Sequence, residues 1–149
     1  MFSASCHYAL LAMFYIGRNS RQGRNVELAD IAARQDIPKH FLSKILQQLV
    51  RHKLLVSTKG PHGGFRLSKP CQQIKLIDVV RAIDGEEIFS RCGIGLRSCN
   101  PAEPCPIHEE YHQTRRNVHQ LFKSKSLKIL ADEAINGRSF IKYEPAGSE

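Results

Sequence analysis

Three signatures are missing from this 149-residue sequence, and each omission narrows its chemistry. There is no Cys-x-x-Cys pair, which sets aside a dithiol redox catalyst. There is no glycine-rich turn ending in Gly-Lys-Ser/Thr and no dinucleotide fingerprint, so a phosphate-cradling or cofactor-dependent enzyme is not expected. No nucleophile stands with an evident orienting base. Together these omissions point to a protein that is not an enzyme and takes no small-molecule substrate. Long apolar runs are missing as well. The opening MFSASCHYALLAMFYIG is apolar, but it has no basic flank and is too short to span a bilayer. A cytoplasmic protein without membrane contact is expected, and five cysteines, an odd number, then argue for reduced thiols rather than disulfides.

Acidic residues are scarce in one stretch only. Residues 18–69 carry eleven Lys/Arg against three Asp/Glu, whereas residues 92–149 carry eight against seven. The formal charge of +8 is therefore localised in the first half, as expected where a chain neutralises the phosphates of a nucleic acid. A solvated lysine-rich face is the plainer alternative.

The pattern within that basic half favours the nucleic acid. Tyr8, Leu11, Ala12, Tyr15 and Ile16 recur at helical spacing and predict a first helix ending near Gly17. Asn25 is a candidate cap for a short helix, VELADIAARQ, with Leu28, Ile31 and Ala32 inward. Pro38 suits the first turn of a third helix whose buried face is expected to be Phe41, Leu42, Ile45, Leu49 and Val50. Two short helices with a tight connection form a helix-turn-helix. Its second helix would then present Lys39, His40, Ser43, Lys44 and Gln47 to a major groove, where Lys suits guanine, Gln suits adenine and neighbouring side chains hold phosphates. Next, the runs Leu55–Lys59 and Gly64–Ser68 flank Gly60, Pro61, His62 and Gly63, which predicts a hairpin, a wing whose Lys59, His62 and Arg66 would lie against the duplex.

Beyond the wing, Leu76, Val79, Val80 and Ile83 predict a helix stopped by Gly85. The segment CGIGLRSCNPAEPCPIH follows, with Cys92, Cys99, Cys105 and His108 in a Gly- and Pro-rich loop. Three thiols and an imidazole at this spacing suit an iron-sulfur cluster, and they suit a closed tetrahedral zinc site equally well. Cys71, His52, His112 and His119 read as incidental. From Pro106 onward, Ile107, Tyr111, Thr114, Val118 and Leu121 or Phe122 form a stripe on a helix long enough to protrude, and a two-fold homodimer is its expected partner. Ser126 would cap a last short helix through Ala134, and YEPAGSE reads as a disordered tail.

The succession YALLAM, LADIAARQDIPKHFLSKILQQL, LLVSTKGPHGGFRLSKP and IKLIDVVRAIDG, followed by three cysteines and a histidine, resembles the bacterial winged-helix repressors that include IscR-type iron-sulfur regulators and NsrR-type nitric oxide sensors. The likeness covers about residues 1–135, and its most specific parts are KGPHGGF and the three-cysteine loop. It implies a mainly α fold: a winged helix-turn-helix over 1–85, a cluster-binding loop over 86–108, a dimerisation helix and a short packing helix over 109–135, and a tail over 136–149. It also implies a homodimeric, DNA-binding transcriptional repressor on a pseudo-palindromic operator. Many members hold a cluster on the three loop cysteines, and 2Fe-2S is expected here ahead of 4Fe-4S, with zinc as the alternative. A small iron-sulfur electron carrier is the competing class, but it would have no use for the basic half or the wing. The fourth ligand varies between branches. His108 matches the IscR-type histidine, whereas His7 occupies the place of the NsrR-type carboxylate, with Cys6 beside it. The first cysteine gap is one residue longer than the IscR-type pattern, and Ser43 stands where an acidic groove-facing residue is typical, which implies a different operator preference.

Overall fold

The computed structural model describes residues 1–135; the tail expected over 136–149 lies outside the described residues. Six helices and one hairpin follow the order α1 (Ala4–Asn19), α2 (Leu28–Gln35), α3 (Lys39–Arg51), β1 (Leu55–Thr58), β2 (Gly64–Leu67), α4 (Leu76–Ile83), α5 (His108–Ser124) and α6 (Leu127–Ile135). Among the described residues no helix is long and apolar enough to cross a membrane.

Helix α1 begins at Ser3, whose hydroxyl accepts the Cys6 amide at 3.0 Å and so satisfies one orphan donor of the first turn. The Ser3 backbone and hydroxyl both donate to Asp84 just past α4, which ties the start of α1 to the end of α4. The helix runs two residues beyond the expected stop, because Gly17 is absorbed into its last turn and faces Leu67 and Leu127. Its buried side, Cys6, Ala9, Ala12, Met13, Phe14 and Ile16, packs against α2, α3, α4, α6 and β2.

Helix α2 starts without a side-chain cap, and Asn25 does not cap it. Instead the Asn25 amide donates to the His62 carbonyl at 3.0 Å across the wing tip. Asp36 leaves α2 in the left-handed region at φ 49° and Pro38 opens α3, so the connection is a three-residue turn. The buried face of α3 is Leu42, Ile45, Leu46 and Leu49. Phe41, expected among them, is instead 53% exposed and tilts against the His40 ring, with centroids 4.3 Å apart. Phe41 falls at the edge of the stripe formed by Leu42, Ile45, Leu46 and Leu49, and Leu46 takes the inward place.

Strands β1 and β2 pair antiparallel with Leu55 opposite Leu67 and Thr58 opposite Gly64. Val26 bridges the other edge of β2, exchanging both backbone hydrogen bonds with Phe65 at 2.8 Å. The wing is thus pinned to the segment that leads into α2. Gly64 permits this approach: its φ is 136°, and a Cβ there would lie 2.4 Å from the Val26 carbonyl oxygen.

Helix α6 closes the core from behind. Leu127 is buried, its amide donates to the Ile74 carbonyl at 3.0 Å, and the Ser126 hydroxyl accepts from Ile129, as expected of a cap. A smaller cluster of Cys6, Val80 and Ile88 lies under α5 and is covered by Phe2, Phe89 and Phe122.

Two outcomes are expected. Gly64→Ala should lower stability by about 1–3 kcal/mol, since neither the positive φ nor the Val26 backbone can yield cheaply, as measured by chemical denaturation. Burial, with Asp84 beside it, pushes the Cys6 thiol from 9.0 up to about 12. A raised pKa in the folded state gives stability that is fully present below about 9 and is lost as pH rises toward 12. Wild-type melting temperature should therefore fall more steeply across that window than that of Cys6→Ala, even though the variant starts lower for lost packing.

Candidate functional site

The outer face of α3 carries Lys39, His40 and Lys44 fully exposed and Ser43 half-exposed, with Gln47 one turn further on. Neither end of this helix is free to swing. The Gln48 amide donates to the Ala82 carbonyl of α4 at 2.8 Å, and the three-residue turn fixes α3 to α2. Exposed Phe41 interrupts the basic face with an apolar surface. The sequence signal for it was the break in the apolar stripe: Leu42, Ile45, Leu46 and Leu49 already complete one helical side without it.

At the wing, Lys59 and His62 are exposed at the tip and Arg66 is half-buried on β2. The Arg66 guanidinium donates to Asn25 Oδ1 at 3.4 Å and to Thr58 Oγ1 at 3.3 Å. Asn25, which sequence spacing assigned to a helix cap, therefore organises the wing: it holds the tip carbonyl with one end and the basic side chain with the other.

The loop after α4 passes through a short 3-10 turn at Glu86–Phe89 and returns at α5. Its cysteines are all free and half-buried. Backbone amides of Ile94 and Leu96 point at the Cys92 sulfur and, with the neighbouring Cys105 thiol, hold Cys92 below the usual thiol range. Cys99 Sγ lies 3.4 Å from His108 Nδ1 at the start of α5. The four donors thus stand as two pairs, Cys92 with Cys105 and Cys99 with His108. Among the described residues no three His, Cys, Asp or Glu side chains converge on a single point. The chemistry of the set nonetheless fits a thiophilic metal or cluster: three sulfur donors, one nitrogen donor, and amides already aimed at one sulfur.

His7, the other candidate for a fourth ligand, is exposed on α1 with its ring edge against Phe2, centroids 6.5 Å apart, and among the described residues it makes no hydrogen bond to the loop cysteines. Cys6 is buried and packs with Val80 and Ile88, and burial together with Asp84 raises its thiol pKa. His112 stacks on His108 with centroids 6.0 Å apart, and His119 sits between Glu86 and the Phe89 ring.

Arg115 went unmarked in the sequence reading. It is the buried residue of α5, 4% exposed, and it donates to the Arg91 carbonyl and, at 3.7 Å, to Cys99 Sγ. Its guanidinium lies 5.5 Å from the Tyr111 ring centre, and that ring lies flat against Gly93, where a Cβ would approach it to 2.9 Å. The available signal was its place four residues after Tyr111 and three before Val118, on the apolar stripe itself.

The stripe expected on α5 divides. Phe122 packs inward on Phe2 at 4.9 Å between centroids, and Tyr111 covers the loop. Ile107 and Leu121 remain exposed at 40% and 50%.

The profile of the Rrf2 family, described as iron-dependent transcriptional regulators, matches residues 2–133. IscR of Photorhabdus laumondii subsp. laumondii is 30% identical over 125 residues, covering 84% of this chain and 75% of that protein. IscR of Pectobacterium atrosepticum is 29% identical over 134 residues, covering 90% and 78% respectively. Among solved structures, CymR (YrzC), the global cysteine regulator of B. subtilis, shares the fold with a TM-score of 0.74 at 23% identity, over 89% of this chain and 96% of that one. IscR of T. potens does so with a TM-score of 0.74 at 21% identity, over 96% and 94%. The helix-turn-helix, the wing and the long helix are therefore the parts of a known fold, and the chain belongs to the Rrf2 family of transcriptional regulators.

Proposed function

We propose that the protein is a homodimeric repressor that grips a pseudo-palindromic duplex and whose grip is set by an iron-sulfur cluster on Cys92, Cys99, Cys105 and His108. Family membership makes the chain a DNA-binding transcriptional regulator rather than an enzyme or electron carrier. The division that follows assigns DNA binding to residues 1–85, the cluster to 86–108 and dimerisation to 109–135.

In this reading Lys39, His40, Ser43 and Lys44 enter the major groove, where the exposed Phe41 is suited to a thymine methyl. Lys59, His62 and Arg66 hold the flanking backbone from the wing. The exposed Ile107, just before α5, and Leu121 of α5 meet a second copy of the chain. The observation that carries the cluster assignment is the pairing of four soft donors beside a buried guanidinium. A 2Fe-2S cluster bound there, favoured over 4Fe-4S by the histidine in the donor set, would supply a centre that changes charge with redox state and that nitric oxide or oxidants can dismantle. The chain's own part is mechanical. Tyr111 and Arg115 join the loop to α5, Phe122 joins α5 to Phe2 and the Cys6–Val80–Ile88 cluster, and Gln48 joins α4 to α3. An ordered loop therefore biases the angle of α5 and with it the separation of two recognition helices.

Footprinting should find two protected half-sites about one helical turn apart on one face of the duplex; a monomer without preference among promoter fragments would sink the proposal. Lys59→Ala should weaken binding to every sequence and reduce the salt slope by about one, whereas Lys44→Ala should also alter sequence preference. After anaerobic purification, Cys92→Ser, Cys99→Ser or Cys105→Ser should abolish the visible chromophore. His108→Ala should shift its spectrum or lability while His7→Ala leaves both unchanged. Colourless wild-type protein with stoichiometric zinc would replace the cluster by a structural zinc site.

A further inference from the structure

Arg115 has an electrostatic problem that the fold alone leaves unsolved. A cation that is 4% exposed has lost its water, and burying a charge is costly unless an opposite charge or several acceptors replace the solvent. Among the described residues no carboxylate lies within ion-pair distance of it. Its recorded partners are the Arg91 carbonyl, the Tyr111 ring and the Cys99 sulfur. Of these only the sulfur could carry a full negative charge, as it would in the form of a thiolate ligand.

We infer that Arg115 is the positioning residue of the cysteine loop: its guanidinium supplies the counter-charge for the Cys99 thiolate, fastens the loop to α5, and makes a group held there easier to reduce. This rests on the reading of the loop as a ligand site. Its two bonds reach different parts of one segment, the Arg91 carbonyl just before Cys92 and the Cys99 sulfur seven residues further on. The span between them includes Cys92 and Gly93, and the Tyr111 ring presses on Gly93 from one turn earlier on α5. Both ends of the first cysteine gap are thereby clamped to a single helix.

The electronic consequence follows from sign. A thiolate-bound iron-sulfur cluster is anionic and becomes more so on gaining an electron, so a nearby cation and an N–H aimed at sulfur favour the reduced form. Burial leaves little water to screen that effect. Arginine is suited to the task because it stays charged when buried and its fork makes two bonds at fixed angles.

The test compares wild type, Arg115→Gln and Arg115→Lys, each loaded anaerobically and each also prepared metal-free. With a cluster bound, Arg115→Gln should lower the reduced-to-oxidised ratio about tenfold at a given potential, which is about 59 mV for a one-electron couple. Arg115→Lys, which keeps the charge but not the fork, should recover part of that shift. Equal potentials in all three proteins would overturn the inference while leaving the cluster assignment intact. In the metal-free proteins, chymotrypsin cleavage after the exposed Leu96 should be several-fold faster in Arg115→Gln at an unchanged melting temperature. If wild type binds no iron, the cluster reading fails on its own, and the cleavage rate still decides whether Arg115 tethers the loop: equal rates would overturn it.

Discussion

The close approach of five elements to α1 is the constraint on which the rest depends. Ala9 and Ala12 are fully buried and offer only methyl groups at the crossing points, while Met13 and Ile16 fill the space on either side. Small residues at a helix crossing let neighbouring backbones come near, and dense packing then makes each neighbour's position depend on the others. Helices α3, α4 and α6 all rest on this one helix, as does β2. The basic surface of α3 is consequently a property of the core: its basic side chains point outward because four leucine and isoleucine residues on its opposite side have no other place to go.

A second, smaller contact set answers to the first. Phe122 reaches from α5 to Phe2, and Phe2 covers Cys6, Val80 and Ile88, which belong to α1, α4 and the 3-10 turn that opens the cysteine loop. The same loop is held at its other side by Tyr111 and Arg115. Helix α5 is therefore held by groups of different character, aromatic rings near its C-terminus and, at its middle, a cation with a sulfur. Rings in contact tolerate small rotations, whereas a forked donor does not, so the Arg115 contact sets the orientation.

The parts most legible in the sequence were those governed by periodicity and turn chemistry. The apolar spacing of Leu76, Val79, Val80 and Ile83 and the Gly-Pro-His-Gly tip need only local rules, and the helix and the wing formed where those rules put them. Asn25 and Phe41 were misread because their neighbours in space come from elsewhere in the chain. Asn25 had a better partner in the His62 carbonyl than in its own helix, and Phe41 was displaced when Leu46 completed the inward side. The pairing of Cys99 with His108 joins two residues that type and spacing had singled out as candidate donors. Arg115 was overlooked although its spacing from Tyr111 and Val118 placed it on the apolar stripe, because a charged residue there is ordinarily read as a break in the stripe rather than a buried member of it.

The Val26–Phe65 rung makes wing and recognition helix a single rigid piece, because the strand that carries the wing is stitched to the segment that begins the helix-turn-helix. Such a piece cannot adapt to a poor half-site by bending within itself. In the two-fold pair proposed above, the freedom left to the two halves would be the rotation of one piece against the other, and along a duplex that rotation is equivalent to twist. A homodimer built this way would measure the helical phase between two half-sites as well as their sequences, and the torsional state of the DNA would then bear on its grip.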